Sequence, residues 1–336
     1  MSSTLDTPNT TSIPSNESNT APLPFEKPLL SLQDKIQELE QVSHDADVNV
    51  DTEIKRLREQ AADVRKNLYT NLTAAEKLQI VRHPQRPNFL EWIKYLSPDT
   101  WFELHGDRAG TDDQAMIGGI GEINGKPVMM VGTQKGRGVK ENLVHNFGMA
   151  NPEGYRKALR LFEHAEKFNM PIITFIDTPG AYPGIDGEQH GIGQAIAFNI
   201  REMARKRTPI ISVVLGEASS GGALGIGVAN RIYMMEHALY TVISPEGCAS
   251  ILWRSAEFAP TAANALKITA DDLMGFGIAD GKIPEPVGGA HHNHAEATKA
   301  MQSVLSQGLA ELNDMDGEQL VKQRYLKYRD IGAVQE

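Results

Sequence analysis

Cysteine is almost absent from this chain: Cys248 stands alone among 336 residues. One thiol cannot close an intramolecular disulfide or furnish a cysteine-cluster metal site, and it fits a reducing compartment, so a cytoplasmic location is expected. An excess of basic residues is lacking too. The formal net charge is −10, which argues against general nucleic-acid binding, because that calls for a basic face. No run approaches the roughly 20 apolar residues of a membrane span. The opening MSSTLDTPNTTSIPSNESNTAPLP has neither the basic start and apolar core of a signal peptide nor the arginines of a transit peptide, and a disordered polar tail over residues 1–25 is the expectation. A G-x-x-x-x-G-K-[ST] phosphate loop is missing as well, so IDTPG at Ile176–Gly180 does not signal a GTPase.

What is present begins with a hydrophobic share of 40%, enough for one large domain with a buried core plus a smaller element. Residues 26–95 are expected to form a helical region. Leu32, Ile36 and Leu39 lie on one stripe, and Ile54, Leu57, Ala61, Val64 and Leu68 on another that steps by 3, 4, 3, 4, which suits a helical hairpin or a partner helix. In residues 96–325, Ile117–Ile123 and Lys126–Gly132 flank Asn124-Gly125, a hairpin-turn signal. Asn151-Pro152 reads as an N-cap followed by Pro at the first helical position, with Tyr155, Leu159 and Phe162 on the buried face. Next come a strand from Pro171 to Asp177, an amphipathic helix marked by Ile192, Ile196, Ile200 and Met203, and a second strand after Pro209. That alternation predicts parallel pairing with right-handed crossovers.

Two segments share one plan: Pro171–Gly184 (PIITFIDTPGAYPG) and Pro209–Gly227 (PIISVVLGEASSGGALGIG). Each has a Pro, an apolar run rich in β-branched residues, then a glycine-rich loop leading into a helix. Such a loop presents bare backbone N–H groups at a positive dipole end, which suits it to hold negative charge developing on an oxygen. Two of them in one domain suggest enolate or oxyanion chemistry.

The stretches DTPGAYPG (Asp177–Gly184), SSGGALGIG (Ser219–Gly227), ISPEGCASILW (Ile243–Trp253), KITADDL (Lys267–Leu273) and IPEPVGGAH (Ile283–His291) occur in one order. With RHPQRP (Arg82–Pro87), ELHGDRA (Glu103–Ala109) and NFGMANPEGYRKALRL (Asn146–Leu161), they resemble the α subunits of the carboxyltransferase of multi-subunit acetyl-CoA carboxylases. The resemblance runs from about Leu29 to about Leu312. It departs at ASSGG and VANR, where GGSGG and VGDR would be expected.

The resemblance implies an α/β crotonase (ClpP/crotonase-like) fold of repeated ββα units over 96–325, following the N-terminal helical element. It implies transfer of a carboxyl group from carboxybiotin, carried on a biotin carboxyl carrier protein, to acetyl-CoA, giving malonyl-CoA for fatty-acid synthesis. Loss of CO₂ from the ureido ring and of a proton from the acetyl methyl both place negative charge on an oxygen, and two oxyanion holes answer that need. The proton can pass to the biotin nitrogen itself, so no protein base is required. Gly221 and Gly222 are the implied backbone donors, with Gly180 and Ala181 as the complementary loop and Ser220 beside them on the carboxybiotin side. Lys135 and Arg137, in GTQKGRGVK, are candidates for a CoA phosphate or a partner's acidic surface.

A homologous β chain would supply the thioester hole and a four-cysteine zinc ribbon that Cys248 cannot furnish, which implies an α2β2 assembly. ATP chemistry would belong to a separate biotin carboxylase, and no metal is expected in this chain. Two other classes remain. A crotonase-fold serine peptidase would use Ser219 or Ser220 with His237 as base, and a non-catalytic scaffold would use its glycine loops only for packing. Glu246, in SPEG, is read as structural, and the HHNH run at His291–His294 as solvated rather than metal-binding.

Overall fold

The computed structural model describes residues 23–46 and 50–332. Most of the N-terminal polar stretch therefore lies outside the described residues. Its last part is folded: Pro24–Glu26 forms a 3-10 turn, the Phe25 ring packs edge-on against Tyr69, and the Tyr69 hydroxyl donates to Glu26 at 2.8 Å.

The two sequence stripes become an antiparallel helical hairpin, Lys27–Ala46 and Asp51–Thr70. It buries Leu29, Leu32, Ile54 and Leu57, while Ala61, Val64 and Leu68 are half-buried. No helix among the described residues is long and apolar enough to cross a membrane.

Among the described residues, eight strands form one sheet: β1 Phe102–Glu103, β2 Met116–Ile123, β3 Lys126–Thr133, β4 Ile172–Thr178, β5 Ile210–Ser219, β6 Arg231–Met235, β7 Leu239–Thr241 and β8 Gly281–Ile283. The order is β1-β2-β3-β4-β5-β6-β8, with β7 pairing β5. β1, β2 and β3 pair antiparallel, and every pairing from β3 to β8 is parallel. The β2–β3 turn is the one expected, since Asn124 and Gly125 both take left-handed backbone (φ 52° and 71°) that the twist of a two-residue hairpin turn requires. All seven residues of β4 and all ten of β5 are buried, so the central strands are covered on both faces. Helix Pro152–Lys167 buries Tyr155, Ala158, Leu161, Phe162 and Ala165, and it packs on β2, β3 and helix Ile192–Arg205. β2, β3 and Pro152–Lys167 make one ββα unit, as the fold assignment requires.

One local expectation is corrected. Asn151 does precede the helix with extended backbone and Pro152 at the first position, but its side chain accepts no capping bond. Its own backbone N–H instead donates to Asp113 Oδ2 at 2.6 Å, tying the helix start to the loop before β2.

Candidate functional site

Both glycine loops lie at the C-terminal ends of neighbouring parallel strands, Gly180-Ala181 after β4 and Gly221-Gly222 in the short helix Ser220–Leu224 after β5. They meet backbone to backbone. A Cβ placed on Gly222 would stand 2.4 Å from the Gly180 carbonyl carbon and 2.5 Å from the Ala181 nitrogen, whereas one on Gly221 would meet only the Ile196 side chain, at 3.4 Å. Gly222 is therefore glycine because the facing loop occupies the space a side chain would need.

The N–H groups of the four candidate residues are not equivalent. That of Gly180 is already committed to Thr178 Oγ1 at 3.1 Å, and the Thr178 hydroxyl donates to Gly180 O at 2.7 Å. Within the complementary Gly180-Ala181 loop, the Gly180 N–H is thus already engaged. Ala181, Gly221 and Gly222 have N–H groups with no hydrogen-bond partner among the described residues, the last two lying in the first turn of a helix, where no intrahelical acceptor exists. The loop is braced from below. Tyr155, fully buried, donates its hydroxyl to Gly222 O at 3.2 Å, and Asn199 Nδ2 donates to Tyr155 O and Gly225 O, both at 3.0 Å.

Beside the loops lies a charged network that inspection of the sequence missed. Lys135 donates to Asp177 Oδ1 at 2.7 Å and reaches Glu217 Oε2 at 3.4 Å. Arg82 grips Glu217 Oε1 through Nε and Nη2 (3.0 and 2.7 Å) and Glu246 Oε1 through Nη1 at 2.6 Å. Arg86 pairs bidentately with buried Glu285, both distances 2.8 Å, and gives two bonds to Leu215 O. Burial pushes the Glu217 carboxyl up, but Lys135 and Arg82 outweigh it and hold Glu217 below the usual carboxylate range. The sequence signal was available: Asp177 and Glu217 interrupt apolar strand runs, where a charge needs a partner.

These placements change several assignments. The Lys135 ammonium is spent on two carboxylates, whereas Arg137, more than a third exposed, gives one bond to Glu91 at 2.6 Å. Glu246 pairs with Arg82 at 2.6 Å. His237 is buried with its backbone N–H on Glu285, its ring beside Tyr69 and Nδ1 unpartnered, and no hydrogen bond joins it to either serine. The HHNH run is not solvated throughout. His291 stacks on His83 with ring centroids 4.1 Å apart, and its burial pushes its pKa down to about 3. Among the described residues no cluster of three or more His, Cys, Asp or Glu is arranged for a metal. The departures at ASSGG and VANR fall where side chains fit: Ala218 and Ser219 are buried in β5, Ser219 with ordinary extended backbone, and Asn230 Oδ1 accepts from buried Arg324 at 2.6 Å.

Comparison with known proteins agrees with this picture. The family model described as acetyl co-enzyme A carboxylase carboxyltransferase-like matches residues 22–332. The acetyl-coenzyme A carboxylase carboxyl transferase subunit alpha of Thermosynechococcus vestitus is 51% identical over 321 residues, covering 96% of this chain and 99% of that one. The subunit of the same name from Prochlorococcus marinus (strain MIT 9301) is 52% identical over 310 residues, covering 92% of each. Among solved structures, transcarboxylase 12S aligns with a TM-score of 0.56 at 18% identity, covering 72% of this chain and 45% of that one. A Pseudomonas malonate decarboxylase hetero-tetramer in complex with coenzyme A aligns with a TM-score of 0.55 at 20% identity, covering 69% and 90%. At those identities the likeness is one of fold.

Proposed function

This chain belongs to the family of acetyl-CoA carboxylase carboxyltransferase α subunits, and we propose that it takes part in carboxyl transfer through the backbone N–H groups of Gly221, Gly222 and Ala181. The reaction is biotin-dependent carboxylation of acetyl-CoA to malonyl-CoA. What supports this reading is the backbone contact between Gly222 and Gly180-Ala181, which sets uncommitted N–H groups of both loops side by side. Fixed donors of this kind hold an oxygen as it gains negative charge without the cost of reorganising solvent.

Carboxybiotin, carried on a biotin carboxyl carrier protein, is the carboxyl donor in this proposal and acetyl-CoA the acceptor. The loops of this chain take the biotin side, with Ser220 at the turn that aims the donors. A β subunit bearing a zinc ribbon completes an α2β2 assembly and supplies the thioester hole and most of the CoA site, while biotin carboxylase uses the ATP. Cys248 alone cannot make that ribbon.

Transfer from malonyl-CoA to free biotin, measured with and without the β partner, tests the proposal. The complex is expected to turn over and the isolated chain to be inactive, because one loop pair cannot serve both charge centres. Robust transfer by this chain alone would overturn it.

A further inference from the structure

The relative position of the two glycine loops decides what their N–H groups can hold, and a separate set of side chains governs it. β4 and β5 pair in register as far as Ile176 with Val214, and the next pair is Thr178 with Ala218. β4 thus advances two positions where β5 advances four, leaving a bulge at Leu215–Glu217. There β5 also exchanges neighbours, pairing with β6 as far as Val214–Met234 and with β7 from Glu217–Leu239 onward. Bulges bend a strand and re-aim the residues beyond them. Beyond this one lie Ser219 and the short helix carrying Gly221 and Gly222.

Side chains hold the bulge from two directions. Leu215 O takes two hydrogen bonds from Arg86, at 3.1 and 2.6 Å. Asp177 Oδ1 accepts both the Glu217 N–H at 3.0 Å and the Lys135 ammonium at 2.7 Å. Gly216 admits this carboxylate, since a Cβ there would stand 2.7 Å from Asp177 Oδ1. Asp177 lies three residues before Gly180, so one carboxylate ties the end of β4 to the bulge that aims the loop of β5. The Asp177 N–H is itself fixed, donating to Thr133 Oγ1 at 2.7 Å.

We propose that Lys135 and Asp177 are positioning residues for carboxyl transfer, fixing the Leu215–Glu217 bulge and through it the approach of Gly222 to Gly180-Ala181. The proposal rests on the reading of the two loops as the transfer site. A buried ion pair contributes little net stability over an apolar replacement, and geometry is the role in which its specific bonds matter.

The test uses Lys135→Met, Asp177→Leu and Asp177→Asn in the assembled complex, with malonyl-CoA decarboxylation kinetics, melting temperature and a crystal structure of Lys135→Met. Lys135→Met and Asp177→Leu are expected to lower kcat about 100-fold while KM for malonyl-CoA stays within about threefold, the size of effect that a displacement of about 1 Å produces. Asp177→Asn keeps an oxygen for the Glu217 N–H and is expected to recover to within about tenfold of wild type. The structure of Lys135→Met is expected to show Gly222 drawn away from Gly180. Should Asp177→Leu fail to assemble, Lys135→Met carries the test. Loops that keep their contact in Lys135→Met, or Asp177→Asn losing as much as Asp177→Leu, would overturn the positioning role. Loops that separate while kcat stays at the wild-type level would sink the site reading instead, so the two failures are distinguishable.

Discussion

Gly222→Ala, paired with Gly221→Ala, is the sharpest test of the loop–loop contact. The methyl group on residue 222 would lie 2.4 Å from a backbone carbon of Gly180, against 3.4–4 Å for ordinary contact. Backbone on the far side has no rotamer through which to yield, so the loops must part by about 1 Å. A misplacement of that size costs about 100-fold in turnover, and losing one donor outright costs about 100- to 1,000-fold. The neighbouring substitution is a matched control. A methyl on residue 221 meets only the flexible end of Ile196 at 3.4 Å and leaves its own N–H in place, so turnover should stay within about threefold of wild type. The assay is malonyl-CoA decarboxylation by the assembled complex, with thermal melts confirming that both variants fold. Equal losses in the two variants, or normal turnover in Gly222→Ala, would refute the steric argument.

Three further outcomes are expected. Arg324, fully buried, donates to Met203 O, Lys206 O, Thr208 O and Asn230 Oδ1; Arg324→Met strands those acceptors and should cost on the order of 3 kcal/mol in denaturant unfolding, whereas a loss under about 1 kcal/mol would refute the accounting. The His291 ring is neutral when folded, its pKa lowered to about 3 chiefly by burial and then by the charges of His83 and Arg86. The unfolded ring takes a proton near pH 6.5, so stability is present above about 6.5 and is lost as pH falls from there toward 3, by up to about 1.4 kcal/mol per pH unit. His291→Phe, which keeps the stack on His83, should make the fall in melting temperature across that window shallower, with buried His83 and His237 and half-buried His294 accounting for the remainder, and an unchanged slope would remove His291 as a cause. Lastly, because His237 is held at Glu285 and away from hydrogen-bonding either serine, a fluorophosphonate should not label Ser219 or Ser220; stoichiometric labelling would favour a peptidase.

The parts of the fold legible in sequence were those with a local physical signature. Asn124-Gly125 announces its turn because two adjacent left-handed residues are needed there, and Ile192 to Met203 announces a helix by its period. The glycine loops were visible for the same reason. Other features were assembled from distant segments and had no local mark. The charge of Glu217 asks for a partner, but nothing in VVLGEAS reveals a bulge or that Gly216 makes room for Asp177. Lys135 looked like a free cation in a glycine-punctuated loop because its two carboxylates come from β4 and β5, 42 and 82 residues further on. His291 looked solvated because its stacking partner, His83, belongs to a segment about two hundred residues earlier.

The Arg86–Glu285 pair has a consequence for how the protein is made. Its two halves are separated by 199 residues, and Arg86 also carries the bonds to Leu215 O. On a ribosome, strands β2 to β5 can emerge and begin to pair while Glu285 has yet to be translated. Throughout that interval the Arg86 guanidinium lacks the carboxylate that orients it in the finished sheet. The bulge, and the donors it aims, thus become fully braced only after the β8 segment has been synthesised and docked. A nascent chain stalled before residue 285 should resist proteolysis across its central strands while staying cleavable around Gly216 to Gly222.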